Sequence, residues 1–390
     1  MTKQLKVDSV VNLAGSGKPN FPVSPTSEGA ALSTLNTHSY TSSATEPSSP
    51  KNGAIWWDSA NSKVYVYANG EFKEITLNTD YPSAYNPFFW GGDRGVFAGG
   101  YSTTFLNRID YVNITSAGNA IDFGDLSDPR NGVSATASTT RSVFAQGWNG
   151  SVYSNVLDYI TTATTGNATD FGDYSVAMSN SARGVTSDGT TGLFQGGWPT
   201  SGSARSNVIH KITIATTGNT TDFGDLSVPR MKAGAAGDAT RGLCSSGNAT
   251  VSGSNSNSNV IDYVTIATPG NATDFGDGTL VRTELMGASD TTRSLFAGGY
   301  GDGASSERVT IDYVTTQTTG NATDFGDLTG QRFDGSASSN GTKALFTGYF
   351  NSATSNVIDQ VTIQTTGNAT DFGDLTHARY GLGGASGTAS

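Results

Sequence analysis

Gly192-Leu193-Phe194-Gln195-Gly196-Gly197-Trp198 opens the stretch from which the fold is read. A variable loop, Pro199 to Ser206, follows it. Next comes Asn207-Val208-Ile209-His210-Lys211-Ile212-Thr213-Ile214, rich in β-branched residues and suited to a strand. Thr217-Gly218-Asn219 supplies turn chemistry. Thr221-Asp222-Phe223-Gly224-Asp225-Leu226 comes after the turn. Arg230-Met231-Lys232-Ala233-Gly234-Ala235-Ala236-Gly237, small, apolar and glycine-rich, completes the unit. The pattern predicts four short strands.

The unit repeats. Asp-Phe-Gly-Asp starts at Asp122, Asp170, Asp222, Asp274, Asp324 and Asp371, at spacings of 48, 52, 52, 50 and 47. A period near fifty predicts a propeller or another repeat array. The small-residue strand suits a crowded centre, the Leu-Phe-Ala-Gly-Gly strand lies next, Val-Ile-Asp-Tyr-Val third, and Asp-Phe-Gly-Asp outermost. The array begins with a second-type strand, Arg94 to Gly100, and ends with a first-type strand, Arg379 to Gly384. The orphan strand at the end is expected to complete the blade begun at the start, which hides edge strands. The expected fold class is all-β: a six-bladed propeller over 81–390, preceded by an extended segment over 1–50 and a small β-meander over 51–80.

These units resemble kelch repeats. The shared marks are a glycine pair ending the second strand, an aromatic in the last strand and an Arg opening the next unit. The pair stands at Gly99-Gly100, Gly196-Gly197 and Gly298-Gly299, and is broken at Gln146-Gly147, Ser246-Gly247 and Gly348-Tyr349. Phenylalanine replaces the usual tryptophan at Phe123, Phe171, Phe223, Phe275, Phe325 and Phe372. The Arg lies five residues after the last Asp at Arg130, Arg230, Arg282, Arg332 and Arg379; the second unit departs, with a two-residue insertion and no Arg there. The resemblance implies the propeller architecture, which hosts many functions.

The first fifty residues are rich in Ser, Thr, Pro and Gly and show no periodicity. Three strands follow: Ala54-Ile55-Trp56-Trp57-Asp58, Lys63-Val64-Tyr65-Val66-Tyr67 and Glu71-Phe72-Lys73-Glu74-Ile75, the last two joined by the hairpin signal Asn69-Gly70. The stretch from Leu5-Lys6-Val7-Asp8 to Asn20-Phe21-Pro22, with Ala14-Gly15-Ser16-Gly17 inside it, resembles the start of tail-fibre and other virion proteins of marine tailed phages. The Trp56-Trp57-Asp58 to Glu71-Phe72 meander looks like a module of the same proteins. The resemblance implies location in a virion, an N-terminal part docked on other virion proteins and a C-terminal part displayed outward. Fibre analogy adds a homo-oligomer, a trimer.

Composition narrows the chemistry. Charged residues are 14% and hydrophobic residues 35% of 390, with 50 glycines. Such a chain favours strands and turns over amphipathic helices. The net charge of −11 argues against nucleic acid as a partner. No apolar run approaches the roughly 20 residues that span a bilayer, so no membrane insertion is expected. The N-terminus lacks the apolar core of a signal peptide. The only cysteine, Cys244, takes the place of a strand Phe and reads as a small buried hydrophobe. His38, His210 and His377 lie far apart, which speaks against histidine-based catalysis or metal binding. No cofactor, metal ion or catalytic set is expected.

Several motifs have plainer readings. Asp-Phe-Gly lacks every other part of a kinase. The twelve carboxylates of the strings do not follow a calcium-loop spacing. They are expected to accept backbone hydrogen bonds in turns or to pair with the Arg five residues later. Asn-Ala-Thr at Asn167, Asn271, Asn321 and Asn368 is explained by its place beside the turn glycine.

The loops between second and third strands carry the functional signal: Tyr101 to Asn107, Trp148 to Ser154, Trp198 to Ser206, Asn248 to Ser258, Tyr300 to Glu307, and Tyr349 to Ser355. Aromatics among small polar residues resemble a paratope and also suit the apolar face of a sugar ring. Tyr101, Phe105, Trp148, Tyr153, Trp198, Arg205, Tyr300 and Phe350 are the candidate ligand-binding residues. The expected function is a non-enzymatic tail-fibre or appendage protein binding a host-surface glycan or protein. The alternatives are a structural neck, collar or decoration protein, and a glycan-processing hydrolase.

Overall fold

The chain divides into two compact units, Met1–Ala84 and Tyr85–Ser390. The computed structural model describes residues 40–50, 54–58, 60–61, 63–68, 70–74, 91–200, 204–251, 253–301, 308–348, 350–351 and 353–389. The stretch from Leu5 to Pro22, expected to dock on other virion proteins, lies outside them. The described residues are strands and turns, with no helix among them.

The smaller unit holds one four-stranded sheet. Ile55–Asp58, Lys63–Ala68 and Glu71–Glu74 form the expected antiparallel meander. Trp56 stacks on Tyr65 with ring centroids 4.9 Å apart and meets the edge of Phe72 at 5.4 Å. A fourth strand, Tyr40–Ser43, pairs in parallel with Ile55–Asp58. Sequence reading missed it, because Tyr-Thr-Ser-Ser carries no hydrophobic alternation. The Trp56 indole N–H donates to the Ser43 carbonyl at 3.1 Å, which fastens this strand.

Among the described residues the larger unit holds six antiparallel sheets of four or more strands and a two-stranded ribbon, Phe350–Asn351 with Ala353–Thr354. Sheet two shows the plan: Ser134–Ala137, Arg141–Ala145, Val156–Thr161 and Thr169–Asp173, each hydrogen-bonded to the next. Sheet three is built on Thr191–Pro199, Ser206–Thr213 and Thr221–Asp225, sheet four on Gly234–Gly237, Arg241–Val251, Ser254–Thr265 and Thr273–Thr283. Sheet five contains Met286–Ser289, Arg293–Ala297, Thr310–Thr315 and Thr323–Asp327. Sheet six contains Ser336–Ser339, Lys343–Thr347, Val357–Thr362 and Thr370–Asp374. Sheet one joins the two ends of the unit. Gly383–Gly387 pairs with Arg94–Ala98, Gly384 opposite Phe97 and Ala385 opposite Val96, and Arg108–Asn113 and Ile121–Asp125 follow.

The second strands are apolar on both faces because a sheet packs against each. Val96, Phe97, Val143 and Phe144 are wholly buried. Six hydrophobic clusters fill the spaces between consecutive sheets. One of them joins Leu345, Ile358 and Phe372 of sheet six to Phe97 and Val112 of sheet one. Every string Phe sits in such a cluster; Phe123 meets the edge of Tyr111 at 5.9 Å. Cys244 lies in the cluster between sheets three and four, and burial pushes its thiol up to about 12.

The string glycine is required by the neighbouring sheet. The Gly166 N–H donates to the Phe123 carbonyl at 2.8 Å. A Cβ on Gly124, at φ +146°, would stand 2.3 Å from the Gly166 oxygen. The same contact recurs between every pair of consecutive sheets, ending with the Gly118 N–H on the Phe372 carbonyl.

Candidate ligand-binding face

The base of five of the six variable loops is held by a buried arginine, the sheet-three loop being the exception, and the partner differs from the sequence expectation. Arg130 Nη2 bonds Asp158 Oδ2 at 2.8 Å, not Asp125. Arg230–Asp262, Arg282–Asp312, Arg332–Asp359 and Arg379–Asp110 repeat this at 2.6, 2.8, 2.8 and 3.2 Å. The acceptor is the Asp of the third strand, brought across by the sheet. Arg282 also donates to the Gly298 and Thr310 carbonyls at 2.7 and 2.8 Å, where one strand enters the loop and the next leaves it. Burial lowers the pKa of Arg282 and Arg379, and the adjacent Asp opposes it.

The string Asp residues have other surroundings. Asp170 and Asp222 Oδ1 each accept the backbone N–H two residues on, at 3.2 Å. The Asp125 N–H is capped by Asn167 Oδ1 at 3.1 Å. Asn219, Asn271, Asn321, Asn368 and Asn119 cap Asp173, Asp225, Asp277, Asp327 and Asp374 in the same way. The Asn of the Asn-Ala-Thr motif is thereby committed to the neighbouring sheet.

Where the glycine pair is broken, its conformation persists. Gln146 and Ser246 take φ of 65° and 62°. The loop that follows Ser246 is not irregular: Asn248 to Val251 pairs with Ser254 to Asn257 as a hairpin, and Gly253 between them takes φ +79°. Cross-strand bonds stabilise it, from Asn248 Nδ2 to Asn257 Oδ1 and from Thr250 Oγ1 to Asn255 Oδ1, both 2.9 Å.

The predicted loop residues form pairs. Tyr101 meets Phe105 edge-on at 4.9 Å, and Trp148 lies 4.7 Å from Tyr153. Phe105 reaches the next loop, where a Cβ on Gly150 would stand 2.6 Å from its ring. Arg205 lies 5.6 Å over Trp198 and donates to Asn248 and Thr250 of the sheet-four hairpin, so it ties two loops together. Tyr300, two-fifths exposed, rests its ring edge-on against Phe333 at 5.4 Å. The Phe350 side chain lies outside the described residues.

Sequence reading missed the centre of this face. Gly132, Asn180, Lys232, Glu284, Asp334 and Gly381 all take left-handed φ, between 56° and 71°. Each N–H donates to the carbonyl of the preceding member, and the Gly132 N–H donates to Gly381, so six bonds of 2.6–3.2 Å return to their start. In Lys232 this conformation splits the expected strand into Arg230–Met231 and Gly234–Gly237. Non-glycine residues are held there at a cost of roughly 1–3 kcal/mol each.

The side chains of this circle are paired. Lys232 Nζ contacts Glu284 Oε1, and Arg183, 1% exposed, contacts Asp334 and donates to Asn180 Oδ1 at 3.1 Å. Burial opposes the charge on Lys232, yet Asp334 and Glu284 outweigh it and raise its pKa. Burial and the charge of Asp334 raise that of Glu284. Tyr380 joins the circle to the loops, 5.6 Å from Tyr101. The available signal was positional: aligned on the Arg, the residue two places on is Gly132, Lys232, Glu284, Asp334 or Gly381.

Between the circle, the sheet-four hairpin and Tyr300 lies a recess of about 350 Å³. Thr283 pairs with Tyr300 along its side. A scan against protein-family models and a search of curated proteins match nothing to this chain.

Proposed function

We propose that the larger unit is a six-bladed, kelch-like β-propeller whose loop face binds a host-surface receptor, a glycan or a protein. In this reading the chain is a phage virion protein of the tail-fibre or appendage kind, attached to other virion proteins through its N-terminal part. One observation carries it: the loop aromatic Tyr300 lines one recess with the circle side chains Lys232 and Glu284, and Tyr101 rests on Tyr380, next to the circle residue Gly381. Rigid aromatic area beside adaptable polar groups is what recognition surfaces use. Support for the ring comes from the pairing of Gly383–Gly387 with Arg94–Ala98, and from the cluster shared by sheets six and one.

Labelled protein is expected to adsorb to cells of the bacterial host. Trp148→Ala and Trp198→Ala are expected to abolish adsorption while the melting temperature moves by less than a few degrees. Unchanged adsorption overturns the receptor reading and favours contact with other virion subunits.

A further inference from the structure

We propose that the recess between the sheet-four hairpin, Tyr300 and the central circle is a binding site for an uncharged pyranose sugar. The inference rests on the receptor reading and names the ligand class for one part of that face.

The chemistry of the lining decides the class. Asn255, Ser256 and Asn257 line it together with Tyr300, Lys232 and Glu284. Amides and hydroxyls each present both donors and acceptors, as do sugar hydroxyls. Tyr300 is the large exposed aromatic of the recess, and its ring is propped by Phe333. Such a ring offers an apolar face to the C–H side of a pyranose.

The two charges at the recess are opposite and already in contact, Lys232 Nζ with Glu284 Oε1. An ionised sugar would have to displace one partner and leave the other uncompensated in a largely buried place, which is costly. A neutral ligand leaves the pair intact and accepts from Lys232 or donates to Glu284. The recess, about 350 Å³, falls at the lower end of sites that enclose small ligands, roughly 300–1,000 Å³. Its wall is also fixed beforehand. Arg205 donates to Asn248, Asn248 to Asn257, and Thr250 to Asn255, so the amides lose little freedom when a ligand arrives.

The test uses the full chain in saturation-transfer difference NMR. The probes are the methyl glycosides of glucose, galactose, mannose and N-acetylglucosamine, with glucuronate and N-acetylneuraminate as charged probes. At least one neutral glycoside is expected to show saturation. Tyr300→Ala and the space-filling Ser256→Trp, both at exposed positions, are expected to reduce that signal at least tenfold. Ile121→Ser, at an exposed position of sheet one away from the loops, is expected to leave it unchanged. Saturation of the charged sugars alone, of none of the probes, or of a neutral glycoside equally in wild type and both variants overturns the proposal. Host-cell adsorption separates the two readings. Adsorption without glycoside binding sinks the sugar site and spares the receptor; a glycoside that binds in the recess without adsorption does the reverse.

Discussion

Five boundaries between consecutive sheets are built around a buried arginine and aspartate; the boundary between sheets two and three is built around tyrosine and histidine. There Met178 takes the place of the Arg, five residues after Asp173, and His210 takes the place of the third-strand Asp. Tyr174 stands where Leu126 or Leu226 stands elsewhere, and its hydroxyl lies 2.9 Å from His210 Nδ1. Burial raises the pKa of Tyr174 and pulls that of His210 down to about 4, so both are neutral partners. All three positions differ together. A buried ion pair stripped of one member is far worse than either a complete pair or none, which is why the exchange is wholesale. The opposite end of the strands divides differently, and there the boundary between sheets two and three keeps its arginine, Arg141 on the Ile214 carbonyl. Arg94, Arg141, Arg241 and Arg293 lie over Tyr111, Tyr159, Tyr263 and Tyr313 and donate to a carbonyl of the next sheet. Sheet three has Thr191 and Lys211 at those places, and sheet six has Lys343 and Gln360.

The contrast is broken most forcefully by making one boundary half of each kind. Arg282→Met leaves Asp312 buried without its cation, and a loss of roughly 3–5 kcal/mol is expected in denaturant unfolding. Arg282→Met combined with Asp312→Leu is expected to recover much of that loss. A double variant as unstable as the single one would mean that the Arg bonds to loop carbonyls matter more than the ion pair.

Acid sharpens the contrast next. The folded pKa of His210, about 4, lies below its ordinary 6.5, so the unfolded chain takes up the proton first as the pH falls. The stability that this residue contributes is complete above pH 6.5 and declines toward pH 4, by at most roughly 3 kcal/mol. His210→Gln is expected to flatten that part of the profile when unfolding is followed between pH 4 and 7. An unchanged slope would assign the acid sensitivity to carboxylates.

The smallest effect belongs to a contact that every boundary shares. Asn167→Ala removes the cap on the Asp125 N–H, and about 1 kcal/mol is expected to be lost. Asn219→Ala, its counterpart between sheets two and three, is expected to cost the same, because this cap does not depend on the Arg–Asp exchange. Thermal melts of the two variants check the equality.

What the sequence disclosed follows from periodicity. Four strands per unit, their order in each sheet and the burial of the string Phe were readable, because apolar residues recur at fixed places. The partner of the arginines was misread because distance was counted along the chain. Arg130 meets a residue 28 positions on, which only strand pairing brings near. Lys232, Glu284 and Asp334 went unnoticed because they interrupt stretches that read as small and apolar, and a left-handed backbone angle leaves no mark on composition. The hairpin from Asn248 to Ser258 looked like a loop because amide ladders, not hydrophobic alternation, hold it.

The pairing of Gly383–Gly387 with Arg94–Ala98 also sets an order of events during synthesis. Arg94–Ala98 is translated before the rest of the larger unit's strands yet lacks this partner until Gly383–Gly387 leaves the ribosome. Its Val96 and Phe97 must wait, solvent-exposed or loosely covered, while later sheets mature. A chain cut before Gly383 would carry that vacancy permanently.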